Sequence, residues 1–283
     1  MAIRAEQLVE GTTQVSTLPD LYVRLDEAID APNSSFAAIG KIIREDTGFT
    51  ARLLRIANSS LYNFPAKIET VERAMSIIGT KQLRELALAT TVMRMFDGLG
   101  NPFVSMETFW KHSLCTAAAA RVIAIARREN NIERFFVLGL LHDIGRLVMF
   151  NRIPTECAAA LEEAERNERL LYEVEKESIG FHHGAIGQML LTTWKLPKAQ
   201  VEAVGHHHAP DRAVHYPLET AVTHVADWIA NAMQLGTSGE RFAPPLNPRA
   251  WERLEIAETS LPSIVEHTEK QFLEAVRLFL GEA

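Results

Sequence analysis

Apolar residues recur at helical spacing along nearly the whole 283-residue chain, and no sustained alternation of β-branched residues marks a strand. This pattern predicts an all-α fold. From Phe36, residues Ile39, Ile42 and Ile43 share one helix face, with Gly48 as the stop. Leu53, Leu54, Ile56 and Ala57 continue in a second helix that ends near Asn58-Ser59-Ser60. Thr70 to Ile78 forms a third, closed by Gly79, and Thr80 is placed to cap a fourth that carries Leu83, Leu86 and Met93. The stretch 97–102, Asp-Gly-Leu-Gly-Asn-Pro, is the candidate boundary. Beyond it, Ser105 caps a long helix over 107–128, and 135–150 is apolar nearly all round and reads as one central helix. The segment 161–176 mixes acidic and basic residues and reads as a solvated helix face. Helices are expected over 183–194, 198–206 and 218–233, then a Pro- and Gly-rich loop over 236–248 and a closing helix over 263–280. The expected division is an N-terminal helical lobe (1–100), a helical bundle (101–235) and a C-terminal loop with helices (236–283).

Composition narrows the function classes. With 47% hydrophobic residues the chain can bury a large core without staples. A formal net charge of −7 argues against nucleic-acid binding by bulk charge. The stretch from Ala74 to Leu88 reads helix, Gly79, helix and carries Lys81 and Arg84, but Glu72 and Glu85 accompany them; an ordinary helical hairpin is the expectation, and nucleic acid is not an expected partner. The two cysteines, Cys115 and Cys157, make no disulfide framework and fit a reducing compartment. The longest apolar runs fall far short of the roughly 20 residues a bilayer needs, and the N-terminus lacks a signal-type apolar stretch. A cytoplasmic protein without a membrane partner is expected.

Ten histidines occur, and seven of them lie between His112 and His208. His142 and Asp143 stand inside Val-Leu-Gly-Leu-Leu-His-Asp-Ile-Gly-Arg-Leu-Val, so at least one side chain must be buried. An unpaired buried carboxylate costs several kcal/mol, so Asp143 needs a cation or several donors. A divalent metal would supply this, since imidazole and carboxylate suit Mn, Fe and Zn; a hydrogen-bonded knot pinning helices together is the alternative. Arg146, one turn on, would neutralise Asp143, hold a phosphate, or stand exposed. His112 lies on an apolar helix face with Phe109, Cys115 and Ala119. Of His182 and His183, about 100° apart on a helix, one is expected to point inward. At most two of His206, His207 and His208 can face one site. Asp227 repeats the buried-carboxylate problem in Val-Thr-His-Val-Ala-Asp-Trp-Ile, with His224 one turn earlier as a candidate partner.

The order His112, His142-Asp143, His183, His207-His208, Asp227 resembles the HD superfamily of metal-dependent phosphohydrolases, and more specifically its HDOD family, the HD-related output domain of bacterial signalling proteins. The likeness runs over roughly 15–235 through Leu18-Pro19, Ile-Arg-Glu-Asp-Thr-Gly-Phe-Thr-Ala-Arg-Leu-Leu-Arg-Ile-Ala-Asn-Ser (43–59), Ala-Met-Ser-Ile-Ile-Gly (74–79), Phe-Trp-Lys-His-Ser (109–113), Gly-Leu-Leu-His-Asp-Ile-Gly-Arg-Leu (139–147), Gly-Phe-His-His-Gly-Ala-Ile-Gly (180–187) and His-Val-Ala-Asp (224–227). The resemblance implies an N-terminal helical lobe packed on an HD-like bundle and a regulatory role in signal transduction. It implies that His112, His142, Asp143 and Asp227 hold one divalent metal (Fe, Mn, Zn or Mg), and that His183, His207 and His208 bind a second metal or a substrate phosphate. Asp143 and Arg146 are the catalytic candidates if the chain turns over a nucleotide or other phosphoester. Against catalysis stand Ala-Pro-Asp-Arg after His208, where cyclic-di-GMP phosphodiesterases carry Gly-Tyr-Pro, Thr108 where those enzymes place a carboxylate, and Arg146 where HD hydrolases often have lysine. The leading expectation is therefore a signalling module with a metal or ligand pocket and little turnover, receiving its input from a separate signalling protein or a ligand. The alternative is an active metal-dependent phosphohydrolase.

Overall fold

The computed structural model describes residues 3–10, 17–62, 66–97 and 103–281, and no strand occurs among them. Sixteen α-helices are found among these residues. The first six are α1 (Ala5–Glu10), α2 (Asp20–Asp30), α3 (Phe36–Arg44), α4 (Thr47–Ala57), α5 (Val71–Ile78) and α6 (Thr80–Met95). The next five are α7 (Met106–Ala126), α8 (Ile132–Leu141), α9 (Ile144–Arg152), α10 (Pro154–Arg166) and α11 (Leu171–Ser178). The last five are α12 (His183–Thr193), α13 (Lys198–His206), α14 (Pro217–Met233), α15 (Pro248–Arg253) and α16 (Leu261–Phe279).

The all-α expectation holds, and so does a helical lobe packed on a bundle. One apolar core runs from Leu25, Ile39, Leu53 and Leu83 of the lobe to Phe109, Phe136, Val148 and Leu190 of the bundle. Each such side chain contributes about 2 kcal/mol by leaving water. Lobe and bundle thus share their interior, with α6 lying against α8 and α1 against α9 and α12. A second apolar cluster gathers Phe135 and Val225 with Trp251 and Ile264, so α15 and α16 pack on the bundle. No helix among the described residues is long and apolar enough to cross a membrane.

Several element boundaries differ from the sequence reading, each for a local reason. Gly48 does not stop a helix; it lies in the first turn of α4, where the Asp46 carboxylate accepts from the Phe49 amide at 2.8 Å. Thr80 is the first residue of α6 and caps nothing, because Gly79 at φ 89° both closes α5 and opens α6. Ser105 caps α7 as expected, its hydroxyl accepting from the Thr108 amide at 3.0 Å. The supposed solvated helix over 161–176 is two helices, α10 and α11, parted at 167–170. Of the 97–102 boundary, residues 98–102 lie outside the described residues.

Candidate metal centre

The predicted single helix over 135–150 breaks at its two polar residues. His142 ends α8 and Asp143, at φ −101° and ψ 8°, precedes α9. His142 Nδ1 lies 2.7 Å from Gly139 O, so the ring takes the carbonyl that a continuous helix would offer to the Asp143 amide. Two glycines hold the break in place. A Cβ on Gly139 would sit 2.6 Å from the Ala117 backbone of α7, and one on Gly145 would sit 2.1 Å from His183 O on α12. The chain therefore approaches α7 just before the break and α12 just after it, which aims His142 toward one neighbour and Asp143 toward both.

Around the first neighbour, His112 Nε2 lies 3.3 Å from His142 Nε2 and 3.3 Å from Asp227 Oδ1. His142 Nε2 is 3.4 Å from both Asp227 Oδ1 and Asp143 Oδ2, and His112 Nε2 is 3.7 Å from Asp143 Oδ2. Around the second, Asp143 Oδ1 is 2.9 Å from His183 Nε2 and 3.7 Å from His207 Nε2. His183 Nε2 is in turn 3.3 Å from His207 Nε2 and 2.9 Å from His208 Nε2. One oxygen of Asp143 thus faces each group. All of the sequence-predicted ligand residues come together, and Asp143 joins the two sets.

The hydrogen bonds on the far side of each ring tell what these nitrogens offer. Nδ1 of His142 meets Gly139 O at 2.7 Å, Nδ1 of His207 meets Val204 O at 2.7 Å, and Nδ1 of His183 meets the Glu175 carboxylate at 2.7 Å. Carbonyl and carboxylate oxygens only accept, so each Nδ1 carries the proton. In the neutral rings every Nε2 is then a bare lone pair facing other lone pairs and carboxylate oxygens. Such an arrangement is repulsive unless positive charge stands inside it. Ligands on one metal at bonds of about 2.0–2.2 Å lie about 3.0–3.5 Å apart, which fits the first group well. The residues suit a divalent ion of the Mn, Fe or Zn kind.

Electrostatics point the same way. Burial alone would push His142 down, but Asp143 and Asp227 lift it to about 10. Burial opposes charge on Asp143 and Asp227, yet the surrounding imidazoles, with Arg146 beside Asp143, hold both well below the usual carboxylate range. His207 and His208 are held well below theirs by burial, then by neighbouring imidazoles. Arg146 is 1% exposed and sits among these groups, 3.6 Å from Asp143 Oδ2, 3.4 Å from His183 Nε2 and 3.9 Å from Glu175 Oε1.

Other expectations resolve differently. His224 is not the partner of Asp227: its Nδ1 donates to His207 O at 2.7 Å and its Nε2 accepts from the Asn247 amide at 2.9 Å. Asp227 Oδ1 takes a second donor from Asn231 at 2.8 Å instead. His182 belongs to neither group; it caps α12, accepting from the Gly184 amide at 3.1 Å, with its ring beside those of His183 and His208. His206 takes no part in either group. Glu175 was missed altogether; the 161–176 reading placed it on a solvated face, yet it is 3% exposed and accepts from both the amide and the ring of His183. Tyr172 was missed too, and its ring stacks on His208 at 4.2 Å between centroids.

The family model for the HDOD domain matches residues 15–210, ending before Asp227 and short of the 235 read from the motifs. Among solved structures, an HDOD domain protein of unknown function from Geobacter sulfurreducens superposes with a TM-score of 0.81 at 22% identity, covering 98% of this chain and 97% of that one. A Shewanella amazonensis protein provisionally named a phosphohydrolase gives a TM-score of 0.73 at 23% identity, over 96% of this chain and 97% of that one. A curated uncharacterized protein of Treponema pallidum is 22% identical over 207 residues, covering 72% of this chain. The match takes in only 39% of that relative's length.

Proposed function

Because the chain belongs to the HDOD family, we propose that it is a regulatory module of bacterial signal transduction that holds a divalent metal and turns over little or no substrate. His112, His142, Asp143 and Asp227 would hold the ion, and His183, His207 and His208 a second ion or the phosphate of a ligand. The observation that carries this reading is the burial of all but one of the ligand residues: His112, His142, Asp143, His183, His207 and Asp227 are each no more than 3% exposed. A substrate has no broad approach to such a set, whereas an ion held by the first group would tie α7 and α14 to the α8–α9 junction. Solvent approaches at the rim, where His208, His182 and Tyr172 are half-buried. A separate signalling protein is the expected partner, and a nucleotide or other phosphoester the expected ligand class.

A phosphohydrolase is the second reading, favoured by the way Asp143 offers one oxygen to each group. A divalent ion there would lower the pKa of bound water and neutralise phosphate charge. Asp143 would orient the site and Arg146 would steady the phosphate. The test is elemental analysis of protein purified without chelators, wild type beside Asp143→Ala. Near-stoichiometric metal in the wild type, lost in the variant, is expected. Absence of metal from both would leave the cluster a hydrogen-bonded knot. Robust metal-dependent phosphodiester hydrolysis, abolished by Asp143→Asn, would replace the regulatory reading with the enzymatic one.

A further inference from the structure

Arg146 is a permanent cation inside the cluster, and its contacts are unusual for a buried guanidinium. Neither Nε nor Nη1 has a hydrogen-bond partner. Nη2 faces the lone pair of His183 Nε2 at 3.4 Å, on the side of the second group. The side chain is held there by charge, with Asp143 and Glu175 on either flank.

We infer that Arg146 stands in for a second divalent ion, so that the protein takes one ion tightly in the first group and a second only together with an anion such as phosphate. This rests on the reading that His112, His142, Asp143 and Asp227 form a metal site. Asp143, Asp227 and Glu175, each no more than 3% exposed, bring three negative charges to the pocket, and Arg146 offsets one. A single divalent ion then makes the set neutral. Glu240, the other acid nearby, stands outside this count: the ion pairs of Arg146 run to Asp143 and Glu175, and the Glu240 carboxylate turns instead to the backbone amides of Leu171, Arg241 and Phe242. A second divalent ion would leave two uncompensated positive charges beside a guanidinium, a strong repulsion at interior dielectric. A doubly charged phosphate restores neutrality, and the half-buried rim at His208 and His182 gives it a way in. By linkage, phosphate must then tighten the second ion by the factor that the ion tightens phosphate.

The experiment is calorimetric titration of Mn(II) into chelator-stripped full chain, with and without inorganic phosphate, for wild type, Arg146→Gln and Arg146→Lys, each checked for helix content. Wild type and Arg146→Lys should take one tight equivalent, and phosphate should tighten a second by at least about tenfold. Arg146→Gln should tighten the second equivalent by about a hundredfold with no phosphate present. Two equally tight equivalents in phosphate-free wild type would overturn the inference and leave the first-group metal site standing. So would a folded Arg146→Gln that still takes one. Should that variant not fold, a second equivalent in wild type that ignores phosphate has the same force. No Mn(II) binding at all would remove both this inference and the reading beneath it.

Discussion

Glu175 shows what a single carboxylate does at the edge of this site. Its Oε2 accepts from the amide of His183 at 3.0 Å and from the ring Nδ1 at 2.7 Å, so it fixes the tautomer, aims Nε2 at Asp143 and makes that nitrogen a better metal ligand. Burial opposes its charge, but His183 and Arg146 keep it below the usual carboxylate range. Glu175→Gln keeps the shape and removes the charge. Metal held through His183 should weaken by about 10–100-fold, while the equivalent on His112, His142 and Asp227 stays. Mn(II) titration in phosphate reads both, and equal affinities for variant and wild type would deny Glu175 any part in orienting the ligand. The sequence exposed His112, His142, Asp143 and Asp227 because each is polar inside an apolar helix. It hid Glu175, whose neighbours Glu173, Lys176 and Glu177 are the charge mixture of a solvated face. One turn of α11 carries both kinds of acid, and only the tertiary approach of α12 separates them.

At the scale of elements, the site depends on the break between α8 and α9. An apolar pattern that runs all round a helix carries no phase, so nothing between Phe135 and Phe150 announced where the axis would turn. What the turn requires is visible in the glycines beside it. Gly145 lets α9 lie against α12, and an added Cβ would meet His183 O at 2.1 Å and Gly187 N at 2.6 Å. These are backbone atoms, which cannot rotate aside. Gly145→Ala should therefore destabilise by about 3 kcal/mol or more, at the upper end of overpacking costs. The displacement falls on the helix that carries His183, so metal content should drop along with the unfolding midpoint. Gly184→Ala offers a contrast, since its Cβ would meet chiefly the His182 side chain, at 2.9 Å. Equal midpoints for Gly145→Ala and wild type would show that α9 and α12 slide apart freely.

Over the whole molecule, lobe and bundle meet through a buried acid. Glu85 of α6 is 5% exposed and accepts from Gln200 of α13 at 3.0 Å, beside a cleft of about 490 Å³ lined by Tyr22, Asp26, Arg84 and Lys195. In sequence Glu85 merely counted among the acids that argue against DNA contact, since nothing local tells which acid of a helix another domain-sized unit will cover. Burial pushes its carboxyl up to about 7, with Asp26 and Glu133 adding to the rise and Arg84 and Gln200 opposing it. Its folded-state value thus lies above the ordinary 4.5, so folding favours the proton. The stabilisation is complete below pH 4.5, declines as pH rises through that window and is gone above about 7. Unfolding midpoints should fall between pH 5 and pH 8, and Glu85→Gln should flatten that slope. At pH 8 the variant should be the more stable by about 2 kcal/mol, less than the full shift implies because the amide must share Gln200 with a new donor. Hydrogen exchange should place the loosening at the α6–α13 contact, where the charge appears, and leave α7, α9, α12 and α14 of the metal cluster protected. Parallel pH profiles for variant and wild type would mean that Glu85 keeps its charge in the fold and that Gln200 alone suffices to hold the ionised carboxylate.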